Sequence, residues 1–232
     1  KKIRRNLSLT LNEEGIIANH SDWFNLNGPE EIKGQKALLP RNEQDLYSIV
    51  YKPGRADRRI RAVGLDPDDY QVQKQADTLM AYYNLGADEV KRVVRMMGYE
   101  LPEDHLLKNL EHHLPRTSHG STLSYIAHAM VLANAGRTAD SWHFYRQALI
   151  SDLADLQGGT TAEGIHLGVM GGCLKGVVTN FAGLNWHGGQ ISINPDLPEE
   201  WEFLRFSVLI RGDRYHFAIS GEELTLSVER EG

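Results

Sequence analysis

Arg116-Thr117-Ser118-His119-Gly120-Ser121-Thr122-Leu123-Ser124 gathers hydroxyls, an imidazole and a glycine into one short run. A run of this kind binds anions when it opens a helix. Amide N–H groups and the positive end of the helix dipole converge there, and glycine lets a ligand approach the backbone. Leu123, Ile126, Ala127, Met130 and Val131 follow at helical spacing, so a helix is expected from Ser121 to Ala135 with Ser121 as its cap. A plainer reading uses the same residues: serines and threonines that only cap a helix and turn a corner.

Two other stretches could share a ligand with this run. Lys74-Gln75-Ala76-Asp77 offers a cation and an amide to one polar group, although lysine and glutamine are also ordinary surface residues of a helix. Gly158-Gly159-Thr160-Thr161-Ala162-Glu163-Gly164-Ile165-His166 resembles the first run in type and could wall the other side of a pocket. Glu163 is the carboxylate nearest a candidate loop, and its place suits the first turn of a helix. Of the ten histidines, His119 and His166 are the two set among glycines and hydroxyls. His105, His112 and His113 lie among charged residues and read as solvated or structural. No HxxxH or HxH spacing with neighbouring carboxylates is present, so no metal site is expected.

The elements that must position these residues are mostly helical. After Asp66-Pro67-Asp68-Asp69 the pattern predicts helices over 70–84, 87–97, 102–113, 121–135, 138–153 and 161–181, joined by short connections as antiparallel hairpins. No fixed repeat period runs through them, which argues against a helical solenoid. Gly168, Gly171, Gly172, Gly176 and Ala182 make the sixth helix thin, suited to close packing. From about residue 184 the period changes to that of strands, at 190–193, 206–210, 215–219 and 224–228, with Gly212-Asp213 and Ser220-Gly221 at turns. Residues 15–70 are broken by Gly28-Pro29, Pro40 and Pro53-Gly54 and read as long connecting structure with two short helices. The fold class expected is mainly α with a small antiparallel β-sheet domain, divided as 1–183 and 184–232.

Composition narrows the classes. With 232 residues, 41% hydrophobic and 24% charged, the chain is an ordinary globular polypeptide, and a net charge of −6 disfavours nucleic-acid and anionic-membrane partners. The single cysteine, Cys173, forms no internal disulfide, which fits a reducing, cytoplasmic setting. No apolar run reaches the roughly 20 residues that cross a bilayer. The opening Lys1, in the middle of a basic amphipathic stretch, suggests a longer parent chain.

In combination, Lys74-Gln75-Ala76-Asp77, then Thr117 to Ser124 with His128, then Gly164-Ile165-His166, then Pro195-Asp196-Leu197-Pro198 with Trp201 resemble the C-terminal portion of glycoside hydrolase family 65. The resemblance runs from about Tyr70 to Val228. It implies the second half of an (α/α)6 barrel followed by a C-terminal antiparallel β-sheet domain.

It also implies an activity: inverting phosphorolysis of an α-glucosidic disaccharide such as maltose, trehalose or kojibiose. The products would be β-glucose 1-phosphate and a sugar. Inorganic phosphate is then the co-substrate and no cofactor is expected. By resemblance Ser118, His119, Ser121 and Thr122 bind phosphate, while Lys74, Gln75 and His166 bind substrate. The general acid, a glutamate, is expected upstream in the remainder of the parent chain, so no catalytic residue is assigned within these 232 residues. In the family's hydrolases a glutamate stands where this chain has His119, which favours phosphorolysis over hydrolysis. Hydrolysis on the same half barrel and a noncatalytic carbohydrate-binding or helical interaction module are the competing readings. A homodimer is an open expectation.

Overall fold

A computed structural model describes residues 7–28, 56–154, 156, 162, 164–187 and 189–230. These residues form two compact units, one reaching Met170 and one starting at Gly171.

In the first unit the helices are α1 (Ala56–Ala62), α2 (Leu79–Leu85), α3 (Ala87–Met96), α4 (His105–His113), α5 (Leu123–Asn134), α6 (Thr138–Ile150) and the start of α7 (Leu167–Gly176). The central one is α5. Its residues from Ser124 to Leu132 are all buried, because it is apolar around its whole circumference and is covered by α2 and α6. Helix α3 is the opposite case, amphipathic, with Val90 and Val94 buried and Asp88 and Glu89 at its positive end.

Two glycines stop helices where the sequence implies. After α3, Gly98 takes φ 91°, and Tyr99 N donates to Val94 O at 3.2 Å while Gly98 N donates to Arg95 O at 3.0 Å. After α5, Gly136 takes φ 73°, and Arg137 N donates to Leu132 O and Gly136 N to Ala133 O, each at 2.9 Å. Both are Schellman closures, in which a left-handed residue lets the chain reverse at once into the next element.

Helix α4 fastens the N-terminal segment with buried polar side chains. Asn109 Oδ1 accepts from Ile17 N at 2.8 Å, and His113 donates through Nε2 to Ile17 O at 2.8 Å. Trp23, 1% exposed, donates through Nε1 to His112 Nε2 at 3.0 Å. His105 and His113 are therefore structural and buried, not solvated.

Three expected boundaries change. The helix expected over 70–84 forms only from Leu79. Before it, Pro67–Asp69 makes a 3-10 turn and the chain then runs extended, bridging Asn27 to Tyr70 and Gln73 to Thr117 in parallel register. Tyr70 and Val72 pack on Ile60 two residues apart, a strand spacing hidden inside the apparent helical one. Helix α5 begins at Leu123, preceded by Thr122 in helical conformation; Ser121 is one residue outside and accepts from Leu123 N through its hydroxyl at 3.4 Å. Helix α7 begins at Leu167, not Thr161, and continues as a π-helical turn, Val177–Phe181. Gly158 to Thr161 and Glu163 lie outside the described residues, as do residues 29–55.

The second unit carries two antiparallel sheets. One is the hairpin β1 (Asn185–His187) with β2 (Gln190–Ser192); the other is β3 (Phe203–Ile210), β4 (Asp213–Ser220) and β5 (Glu223–Glu229) in the order β3-β4-β5. Arg211 and Gly212, both at positive φ, make the two-residue turn between β3 and β4. The register stacks Leu204, Ile219 and Leu224, then Phe206, Phe217 and Leu226, on one face.

Candidate functional site

The extended segment before α2 lies against the polar run before α5. Gln73 N donates to Arg116 O at 2.9 Å, Ser118 N donates to Gln73 O at 2.7 Å, and Gly120 N donates to Lys74 O at 2.8 Å. A side-chain bond reinforces the ladder: Gln73 Nε2 donates to Thr117 Oγ1 at 3.0 Å, and Thr117 Oγ1 donates to His113 O at 2.8 Å. The Lys74-Gln75 pair and the Ser118 to Thr122 loop, 44 residues apart between Lys74 and Ser118, are thereby neighbours. Lys74 is exposed and Gln75 half-buried, which leaves the ammonium in reach of a ligand.

Within the loop the side chains divide. Ser121 is half-buried, whereas Ser118, His119 and Thr122 are 7%, 7% and 2% exposed. Ser118 Oγ and Gln73 Oε1 are buried with no hydrogen-bond partner among the described residues, the condition of polar atoms that await a water or a ligand. His119 holds φ 47°, a left-handed backbone uncommon outside glycine and concentrated at functional positions.

The His119 ring turns into the protein. It stacks on Tyr125 with centroids 5.0 Å apart and parallel planes, and lies 4.9 Å from His128 and 5.5 Å from Phe144. Burial, and to a lesser degree His128, push its pKa well below the ordinary histidine value. His128 is likewise lowered by burial, to about 4, although its bond to the Ser124 carbonyl opposes the shift. Both imidazoles are neutral near pH 7.

His166 is held by a different device. Asp152, just past α6, accepts from His166 Nδ1 at 2.6 Å and from His166 N at 2.9 Å. The imidazole bond is the main reason the Asp152 carboxyl titrates lower than usual. A carboxylate that grips both the ring and the amide fixes orientation and tautomer together. Around it, Ile165 and Leu167 are 72% and 80% exposed.

A separate cavity of about 300 Å³ in the first unit is apolar, lined by Leu9, Ile17, Val90, Val94 and Met97 with Asp77 and Thr78 at its polar edge; none of the assigned site residues line it. Among the described residues no group of three or more histidine, cysteine, aspartate or glutamate side chains is placed to hold a metal, and no helix is long and apolar enough to cross a membrane.

Sequence reasoning missed Gln73, Ser124, His128 and Asp152 as supports of the site. Ser124 and His128 stood inside the recognised motif without a role. Gln73 adjoins Lys74, but nothing in sequence reveals its partner 44 residues away at Thr117. Asp152 gives no local signal.

Residues 1–175 match the glycosyl hydrolase family 65 central catalytic domain, and residues 184–232 match that family's C-terminal domain. The chain belongs to glycoside hydrolase family 65. Trehalose 6-phosphate phosphorylase of Lactococcus lactis subsp. lactis is 40% identical over 230 residues, 98% of this chain and 28% of that protein. Kojibiose phosphorylase of Escherichia coli is 29% identical over 160 residues, 68% of this chain and 19% of that protein. Alpha,alpha-trehalose phosphorylase of Geobacillus stearothermophilus is 28% identical over 169 residues, 68% of this chain and 20% of that protein. In structure, a putative kojibiose phosphorylase from human microbiome superposes with a TM-score of 0.65 at 19% identity, over 97% of this chain and 26% of that one. The fold is thus that of the family 65 helical barrel portion with its β domain, and the chain spans 28% or less of the length of these relatives.

Proposed function

We propose that this family 65 chain is the C-terminal part of an inverting disaccharide phosphorylase. The parent enzyme would cleave an α-glucosidic disaccharide with inorganic phosphate to give β-glucose 1-phosphate and a free sugar. One observation carries the reading: the three main-chain bonds between Gln73-Lys74 and Arg116-Ser118-Gly120 that put a cation beside a hydroxyl loop at a helix start. Phosphorolysis needs a dianion beside a sugar whose anomeric carbon becomes cation-like. A preorganised set of donors with a helix dipole behind it serves the dianion, and a lysine serves the sugar hydroxyls next to it.

In this proposal Ser118, His119, Ser121 and Thr122 form the phosphate loop, with Ser121 the most accessible of the four. Lys74 and Gln75 hold the glucosyl unit, and His166 contacts substrate with its ring set by Asp152. The acid that protonates the glycosidic oxygen is assigned to the remainder of the parent chain. As the bond to the anomeric carbon breaks, the leaving oxygen takes the acid's proton and a phosphate oxygen bonds to the opposite face. The three relatives' names, phosphorylases of trehalose 6-phosphate, kojibiose and trehalose, support the reaction class and leave the linkage open. A cytoplasmic location is the companion proposal, from a sequence whose one cysteine can form no internal disulfide.

The test is a titration of glucose 1-phosphate release against phosphate in the full-length parent protein, with maltose, kojibiose, trehalose and trehalose 6-phosphate. Saturable phosphate dependence is expected. Release of free glucose at a rate indifferent to phosphate would replace phosphorolysis by hydrolysis. Lys74→Ala is expected to lower turnover more than it weakens phosphate affinity; the reverse pattern would exchange the roles of the two motifs.

A further inference from the structure

Beneath the two motifs of the site runs a buried link, the side chain of Gln73. Thr117 Oγ1 lies 2.8 Å from the His113 carbonyl, and a carbonyl only accepts, so the threonine proton points there. The same oxygen then accepts from Gln73 Nε2 at 3.0 Å, which fixes the way round of the amide. Gln73 and Thr117 are 4% and 2% exposed, so water does not compete for either bond, and His113, the last residue of α4, anchors the pair. From this link the main chain leads to both ligand loops. The Gln73 carbonyl accepts from Ser118 N at 2.7 Å and the Lys74 carbonyl from Gly120 N at 2.8 Å. These two amides flank His119, so a shift of Lys74 is passed directly to the loop on either side of that histidine.

We propose that Gln73 is a positioning residue that couples the two subsites: its bond to Thr117 makes the Lys74 segment and the 118–122 loop one body, so that sugar and phosphate each bind more tightly in the other's presence. The inference rests on the phosphorylase reading of the site and adds a coupling to it. Ordering entropy supplies the reason. Two segments tied together are ordered once, by whichever ligand arrives first, whereas segments that move separately are ordered twice. Main-chain bonds hold these segments edge to edge. Gln73 and Thr117 are register partners in that pairing, and the amide-to-hydroxyl bond between them keeps one segment from sliding past the other.

The test is a matrix of initial velocities for the full-length parent protein, inorganic phosphate against the disaccharide it turns over. It yields the factor by which saturating disaccharide tightens phosphate, and by linkage the same factor applies in the other direction. Wild type should show a factor of about five or more. Gln73→Met keeps the volume and the main-chain bonds but removes the donor, and should bring the factor to within about twofold of unity. Thr117→Val should do the same, and the two together no more than either alone, because they cut the same link. Thr117→Ser restores the hydroxyl and should recover the coupling. A wild-type factor near unity overturns the proposal. So does a change in kcat or KM that leaves the factor at its wild-type value in Gln73→Met and Thr117→Val, the result a merely structural role would give. Should both variants fail to fold, amide exchange in the wild-type protein decides: disaccharide without phosphate should slow exchange at Ser118 and Gly120, and unchanged rates overturn the coupling. Turnover indifferent to phosphate would overturn the phosphorylase reading and this inference with it, a result distinct from saturable phosphate dependence with a factor of unity.

Discussion

The 116–122 run and the run ending at Gly164-Ile165-His166 have the same ingredients, glycines, hydroxyls and one histidine, and the chain treats them oppositely. The first is clamped by main-chain bonds to Gln73 and Lys74 and sits on a helix buried from Ser124 to Leu132, with its histidine sealed between aromatic rings. The second, in its described part, is fastened by one carboxylate, Asp152, among residues that are largely exposed. Composition marks both as candidate ligand loops. What separates them is the element beneath: an apolar helix can hold strained backbone and neutral imidazole in place, whereas the described part of the second run is an exposed turn gripped by a carboxylate.

The widest gap between the two should appear on truncating their supports. Ile126→Ala, at 0% exposure under the first loop, is expected to cost about 2–5 kcal/mol, and Leu167→Ala, at 80% exposure beside the second, to stay within about 0.5 kcal/mol. Urea unfolding of both variants checks the pair, and equal losses would erase the distinction.

Acid should act on the first loop next. His128 has its folded pKa lowered from 6.5 to about 4, so the unfolded chain binds the proton first as pH falls. Its stabilisation is complete above pH 6.5 and is lost between 6.5 and about 4, amounting to about 3 kcal/mol, with no further loss from this group below that. His113, also lowered to about 4 by burial, acts in the same window and the same direction. Thermal melts from pH 7 to pH 4 would measure the slope. A flat profile would mean that these rings are not held neutral.

Thr117→Val tests the clamp with a smaller change. It removes the hydroxyl that accepts from Gln73 Nε2 and donates to His113 O, leaving buried groups without that partner at a cost of about 1–3 kcal/mol. Faster amide exchange at Ser118 and Gly120 should accompany the loss. At the second loop Asp152→Ala should leave the unfolding midpoint where it is. It should speed exchange only at the His166 amide, because the contact it removes is local.

Much of the architecture could be read from local pattern. The change from helical to strand period near residue 184, the glycine stops at Gly98 and Gly136, and the run of helices after Asp66 are all properties of neighbours in sequence, governed by backbone sterics and side-chain spacing. Residues 70–78 defeated that reasoning. Tyr70, Val72 and Ala76 satisfy either period, and residues 70–74 adopt the extended one because Asn27, Arg116, Ser118 and Gly120 supply backbone partners from distant segments.

The sequence by itself determined which residues are chemically equipped, namely Lys74, Gln75, Ser118, His119, Ser121, Thr122 and His166, since side-chain donors and helix-start amides are local facts. Tertiary structure decided how they are deployed. It set Lys74 beside the Ser118 loop, turned His119 inward onto Ser124, and gave His166 to Asp152. Each of those outcomes depends on which donor meets which acceptor across tens of residues, and on whether water is excluded where they meet. Neither is encoded in spacing along the chain, because desolvation and long-range hydrogen bonding exist only once the helices have packed.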